Sequence, residues 1–136
     1  MKRRLLVGAV AGVVLVVSAP PLLPPLLKSK PQASERTQAT MAEKKANKAL
    51  AKQYAWAGYG WRGMEWRCLD YIFTKEARYD HLAKNRQGSS AYGIGQLLKE
   101  TSKEPAIQIL HTYKYIVNRY QTPCRAMKYH LRHNHY

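Results

Sequence analysis

Residues 65–76 read Glu65-Trp66-Arg67-Cys68-Leu69-Asp70-Tyr71-Ile72-Phe73-Thr74-Lys75-Glu76, and a polar loop then leads to Tyr92-Gly93-Ile94-Gly95-Gln96. Trp66, Leu69, Ile72, Phe73 and Glu76 recur at three- and four-residue steps, the spacing of one face of an α-helix. The stretch predicts a helix over 65–76 whose apolar face ends in a carboxylate. A carboxylate so placed is partly desolvated, which raises its pKa and keeps it protonated for use as an acid. The alternative is a helix-end glutamate paired with Lys75 or Arg78, or facing solvent.

The loop bears on that choice. Gly88, Gly93 and Gly95 permit backbone conformations that other residues resist, and they let a ligand approach the main chain. Gln96 offers donors and an acceptor to an acetamido group or a hydroxyl, and Tyr92 offers a face to a sugar ring. An ordinary surface turn with a capping Gln is the competing reading, because a short Gly-x-Gly is a weak motif alone.

Three further helices flank this core. Residues 41–57 are rich in Ala and Lys, good helix formers, and Gly58 and Gly60 end the run. Lys44, Lys45, Lys48 and Lys52 read as its solvated face. Residues 104–119 form a third pattern, with Pro105 tolerated in the first turn. Its apolar stripe is Ala106, Ile109, Leu110, Tyr113, Ile116 and Val117, flanked by Ile107 and Tyr115. Pro123 starts a last helix through Ala126, Met127, Tyr129 and His130. The expected fold is mainly α, with a short β element at the Gly-x-Gly turn.

The 136 residues have room for one domain plus an export or anchoring segment. Met1-Lys2-Arg3-Arg4 precedes an uncharged, mostly apolar run over residues 5–19, which is an export pattern. The Pro- and Leu-rich residues 20–27 cannot continue a regular helix, and the run itself is short of the ~20 residues of a membrane span. Residues 1–27 therefore read as either a signal peptide or an uncleaved anchor, and residues 28–40 as a polar linker. The domain is expected over 41–136, outside the cytoplasm. Cys68 and Cys124 are the only cysteines, so one disulfide is the default in an oxidising space. It would close about 57 residues and contribute ~4 kcal/mol. Two free buried thiols are the alternative.

Formal charge is +15, from 23 Lys and Arg against 8 Asp and Glu. Such a field favours polyanions without choosing among nucleic acid, anionic lipid and acidic wall polymers. No nucleic-acid motif is present, so a nucleic-acid reading rests on charge alone. His130, His133 and His135 lie close in sequence, but there is no His-Glu-x-x-His and no paired-cysteine motif; neither a metal nor a cofactor is expected. Trp56, Trp61 and Trp66 read as core rather than as ligand platforms.

Several of these segments, in order, resemble the lytic transglycosylase (SLT-type) branch of the lysozyme-like superfamily, in its short exported members. Trp66-x-Cys68-Leu69 leading into Lys75-Glu76, with Asn85 and Ser89-Ser90-Ala91-Tyr92-Gly93-Ile94-Gly95-Gln96, is similar to the family's glutamate segment and Gly-x-x-Gln turn. Gln108-Ile109, Tyr115-Ile116-x-x-Arg119-Tyr120, Pro123-Cys124-x-Ala126 and Tyr136 resemble the later helices. The resemblance implies an α+β lysozyme-like fold with a cleft, and cleavage of the β-1,4 bond between N-acetylmuramic acid and N-acetylglucosamine. Glu76 matches the family's single acid and base, while Ser90, Tyr92, Gly93, Gly95, Gln96 and Tyr115 match its substrate-binding positions. Implied partners are peptidoglycan strands and anionic wall polymers or a membrane surface, contacted by a monomer. The chain departs from the pattern at Ala77 (usually Ser), Tyr79 (often Trp), Tyr113-Lys114, Met127 and Asn134-His135. These departures bear on rate and substrate range, and Ala77 best supports the alternative of a non-catalytic wall-binding or assembly protein. Plain hydrolysis with Asp80 steering a water is a further possibility; Asp70, about 120° round the helix from Glu76, reads as a surface charge.

Overall fold

The computed structural model describes Gly12, Val16, Ser18 and residues 36–136 apart from Arg86. Most of the export pattern and most of the linker lie outside the described residues. All the helices described belong to the unit Pro31–Tyr136: α1 (Met41–Tyr59), α2 (Met64–Glu76), α3 (Pro105–Tyr120) and α4 (Pro123–His133). None of them is long and apolar enough to cross a membrane.

Their ends follow from local chemistry. Thr40 caps α1 in a reciprocal capping box with Glu43, and Gly60 closes the helix in the left-handed conformation at φ 65. Pro105 and Pro123 stand in the first turns of α3 and α4, where a missing N–H leaves no partner wanting. Residues just before α1 are drawn into the fold: Ala39 is buried and Arg36 pairs with Glu43 at 2.9 Å.

The core joins Leu69, Ile72 and Phe73 of α2 to Ile109, Tyr113 and Ile116 of α3, with Ala51 and Ala55 of α1 and Ala126 of α4. Tyr113 lies at its centre, and its hydroxyl donates to Ala51 O at 2.6 Å, so the one polar atom of a buried ring is satisfied. Trp61 and Trp66 are buried as expected, whereas Trp56 is 39% exposed, between Lys52 and Arg62. Lys44 and Lys48 of the expected solvated face are paired, with Asp80 and Asp70 respectively. Asp70 also accepts from the Tyr79 hydroxyl at 2.5 Å and is only partly exposed, rather than being a free surface charge.

Helix α3 is turned relative to its apolar stripe. Its buried residues are Gln108, Ile109, Thr112, Tyr113 and Ile116, while Leu110 and Val117 are 43% and 39% exposed. The reason is the loop between α2 and α3, which lies directly over Gln108 and Thr112. A side chain at Gly93 would collide with Gln108, and one at Gly95 with Thr112. Gly93 also sits at φ 76, which disfavours any residue with a Cβ. Gln108 occupies the buried face because it supplies hydrogen bonds to a loop backbone that an apolar side chain would leave unsatisfied, while the Thr112 hydroxyl is satisfied by Gln108 O within the helix. The β structure in that loop consists, among the described residues, of two single antiparallel bridges, Lys84 with Tyr92 and Tyr92 with Leu97. The architecture is mainly helical with one disulfide.

Candidate functional site

Glu76 is the last residue of α2. The chain leaves it abruptly: Ala77 and Arg78 both donate to Phe73 O, and Arg78 and Tyr79 take φ 52 and 62. Two non-glycine residues in that region are strained, and the surroundings hold them there. Asn47 Nδ2 donates to Tyr79 O at 2.9 Å, and the Tyr79 ring packs on Phe73. The sharp exit leaves the Glu76 side chain 16% exposed and turned toward α4, where His130 Nε2 lies 2.9 Å from its Oε1. Among the described residues its ion partner is this histidine, and neither Lys75 nor Arg78.

Burial pushes the Glu76 carboxyl above its ordinary range, opposed by the charge and hydrogen bond of His130 and by the charge of His135. Tyr136 completes the surroundings. Its hydroxyl donates to Gly95 O at 2.6 Å, and its ring faces His130. Burial, and then the negative charge of Glu76, drive its phenol well above the usual value. The result is a carboxyl at the end of one helix, an imidazole from another and a phenol from the segment after α4.

The clamp that brings these elements together is covalent. Cys68 and Cys124 form the disulfide with their Cα atoms 4.9 Å apart, fixing α4 against α2. Cys124 N donates in addition to Glu65 Oε2 at 2.9 Å. His130 follows Ala126 by four residues, so both present the same face of α4 to α2.

Of the other residues expected at the site, Gln96, Tyr115, Ser90 and Tyr92 fall into two depressions. One, of about 400 Å³, is lined by Gln96, Leu97, Tyr115, Arg119, His135 and Tyr136. Tyr136 links it to the acid, since the Tyr136 ring faces His130, the partner of Glu76. Arg119 stands at its edge with its guanidinium 5.6–5.9 Å from the rings of Tyr115, Tyr120 and Tyr129 and one nitrogen 3.0 Å from the Tyr115 hydroxyl. The second, of about 410 Å³, holds Ser90 and Tyr92 with Lys84, Asn85, Glu100 and Lys103. Ser90 Oγ accepts from Lys99 N, and the Lys103 ammonium sits 4.9 Å from the Tyr92 ring.

Gly93 and Gly95 are buried against α3, so their immediate role is to let the loop approach that helix. Gln96 Nε2 donates to Ala83 O at 3.0 Å and Gly93 O at 2.9 Å. Both amide hydrogens are thereby used, and the side-chain carbonyl remains to accept from a ligand N–H or O–H. Asp80 is likewise engaged. Its Oδ1 accepts from Ala39 N and Leu82 N at 3.0 and 2.9 Å, and its Oδ2 lies 3.5 Å from Lys44.

Sequence reasoning missed three contributors: His130 as the partner of Glu76, and Gln108 and Thr112 as supports of the glycine turn. The Ala126-to-His130 spacing is the signal that would have placed the histidine on the inner face. His133 and His135 turn instead to Tyr129, with centroids 4.1 and 5.7 Å from its ring. Among the described residues no three His, Cys, Asp or Glu side chains group closely enough to hold a metal ion. No family model, curated protein or solved structure matches the chain.

Proposed function

We propose that the protein is a lytic transglycosylase acting on peptidoglycan, with Glu76 as the single general acid and base. The observation that carries this reading is a mostly buried glutamic acid, its carboxyl pushed above the ordinary range by burial, near a depression lined by Gln96, Tyr115 and Tyr136. A carboxyl raised in this way suits proton delivery to a glycosidic oxygen. Two tyrosine rings offer stacking faces to sugars, and the Gln96 carbonyl offers an acceptor to an acetamido N–H.

The reaction needs one carboxyl used twice. Glu76 gives its proton to the leaving oxygen as the bond from muramic C1 breaks, with the N-acetyl group assisting. The carboxylate then takes the proton of the muramic 6-hydroxyl as O6 bonds to C1, closing an anhydro ring. The usual glycosidase scheme places a second carboxylate across the bond. Asp80, the nearest acidic residue after Glu76 in sequence, has both oxygens committed to Ala39, Leu82 and Lys44, which favours the one-carboxylate route.

One observation favours a second reading, a wall-binding or assembly protein without catalysis: the Glu76 carboxyl is already occupied on one side by His130. Incubating the full chain with purified peptidoglycan separates the cases by mass spectrometry. Anhydro-muramic ends are expected; reducing ends would mean hydrolysis, and sedimentation with the wall without release would leave the binding protein.

A further inference from the structure

We infer that His130 is the positioning residue for Glu76, holding one carboxyl oxygen so that the other alone exchanges the proton with substrate. The inference rests on the catalytic reading above. It begins with an accounting of hydrogen-bond groups. His130 has a side chain only 6% exposed, and its Nε2 lies 2.9 Å from Glu76 Oε1. Its Nδ1 is buried and has no hydrogen-bond partner. In its neutral form an imidazole so placed carries its proton on Nε2, because a bare acceptor lone pair is tolerated in an apolar wall better than an orphaned N–H, and the charged form donates through Nε2 as well. The edge of Tyr71 stands against the ring with centroids 5.8 Å apart, and Tyr136 lies beyond at 6.5 Å. The imidazole is thus flanked by two rings, with Nε2 directed at Oε1.

The consequence for the reaction is specific. While Glu76 is protonated, the proton sits on Oε2 and Oε1 accepts from His130. When Oε2 surrenders that proton to the leaving oxygen, negative charge develops on a carboxylate with limited access to water. His130 Nε2–H is the donor already in place to receive it, and no group has to reorganise. When Oε2 takes the 6-hydroxyl proton, the starting arrangement returns. No net proton enters or leaves the pair. Besides His130, the ionisable group acting on Glu76 is His135, from the segment after α4, and Glu76 in turn acts on Tyr136 of the same segment.

Two variants test this in the full chain. His130→Leu removes the donor while keeping an apolar side chain, and His130→Gln returns an N–H near the same place. With Leu, kcat for anhydro-muropeptide release should fall roughly 10- to 100-fold with KM little changed. With Gln, kcat should recover to within about tenfold of the parent. Independently of activity, 13C NMR of the Glu76 carboxyl should show its titration midpoint moving upward in the Leu variant, because an interaction favouring the carboxylate is lost. The upper pH limit of activity should move the same way. Equal losses of activity in Leu and Gln, tracking their unfolding temperatures, would reduce His130 to packing and overturn the inference. An unmoved Glu76 midpoint would do the same. A parent that releases nothing would sink the catalytic reading instead, while the NMR titration would still report whether the pair exists.

Discussion

Gln108→Met is the most demanding test of how the loop is held over α3. Gln108 is 1% exposed. Its Oε1 accepts from Ile94 N at 2.9 Å, and its Nε2 donates to His81 O at 3.0 Å and Ser102 O at 2.8 Å. One side chain therefore serves three backbone groups on both arms of the loop that carries Gly93, Gly95 and Gln96. Methionine has nearly the same volume and flexibility, so the substitution removes hydrogen bonds without opening a cavity. Three bonds at about 1 kcal/mol each give a loss of roughly 3 kcal/mol, with the buried Ile94 N–H left unpaired. For a domain of this size each kcal/mol lowers Tm by about 4–8 °C, so a fall of roughly 12–24 °C is expected. Urea unfolding followed by circular dichroism should show a lower midpoint at unchanged slope, and the Ile94 amide should lose hydrogen-exchange protection. A loss under about 1 kcal/mol with Ile94 still protected would refute the idea that Gln108 is the peg of this loop.

The other expectations concern the clamp, the glycine turn, the first helix and the acid. Replacing Cys68 and Cys124 with Ala opens a link between residues 56 apart in sequence and should cost about 4 kcal/mol in urea unfolding, a loss that reducing agent should reproduce in the parent. Gly95→Ala should cost roughly 1–3 kcal/mol by overpacking against Thr112, and adding Thr112→Ala should recover part of it in a double-mutant cycle. Thr40→Ala removes the cap of α1 and should cost about 1 kcal/mol by thermal unfolding. A carboxyl whose folded pKa is raised binds its proton more tightly when folded, so its stability contribution is complete below the ordinary value of 4.5 and declines as pH rises through the folded value. Glu76→Gln removes that decline, so the variant should gain on the parent as pH rises above 4.5 and through the folded value; a gap that shrinks with pH would contradict the buried acid.

The helices were legible because each carries local information. Trp66, Leu69, Ile72 and Phe73 repeat with the helical period and are all buried, and Pro105 and Pro123 mark first turns. The cysteine pair was legible from number, since Cys68 and Cys124 are the only two. What could not be read was pairing between distant segments. Thr112 and Gln108 look like surface polar residues until the glycines that press on them are known to lie there. For the same reason the buried face of α3 was misjudged: Leu110 and Val117 have no loop above them, and hydrophobicity alone could not say so. His130 is 54 residues from Glu76, and one histidine on a short helix carries no mark of its partner. Asp80 read as able to steer a water because its partners, Ala39 N and Lys44, come from before and within α1.

The central claim is that Glu76 alone supplies and recovers the proton. The measurement is the release of anhydro-muramic products from purified peptidoglycan by the full chain, run beside Glu76→Gln and Asp80→Asn under oxidising conditions. Glu76→Gln keeps an amide where the carboxyl stood and should fold at least as well, yet release should fall by about 10²–10⁴-fold. Asp80→Asn loses a buried charge next to Lys44, so its activity is compared per folded molecule, where it should keep the parent's product type. Equal product from the parent and the folded Glu76→Gln protein would contradict the account, since the proton would then come from another group.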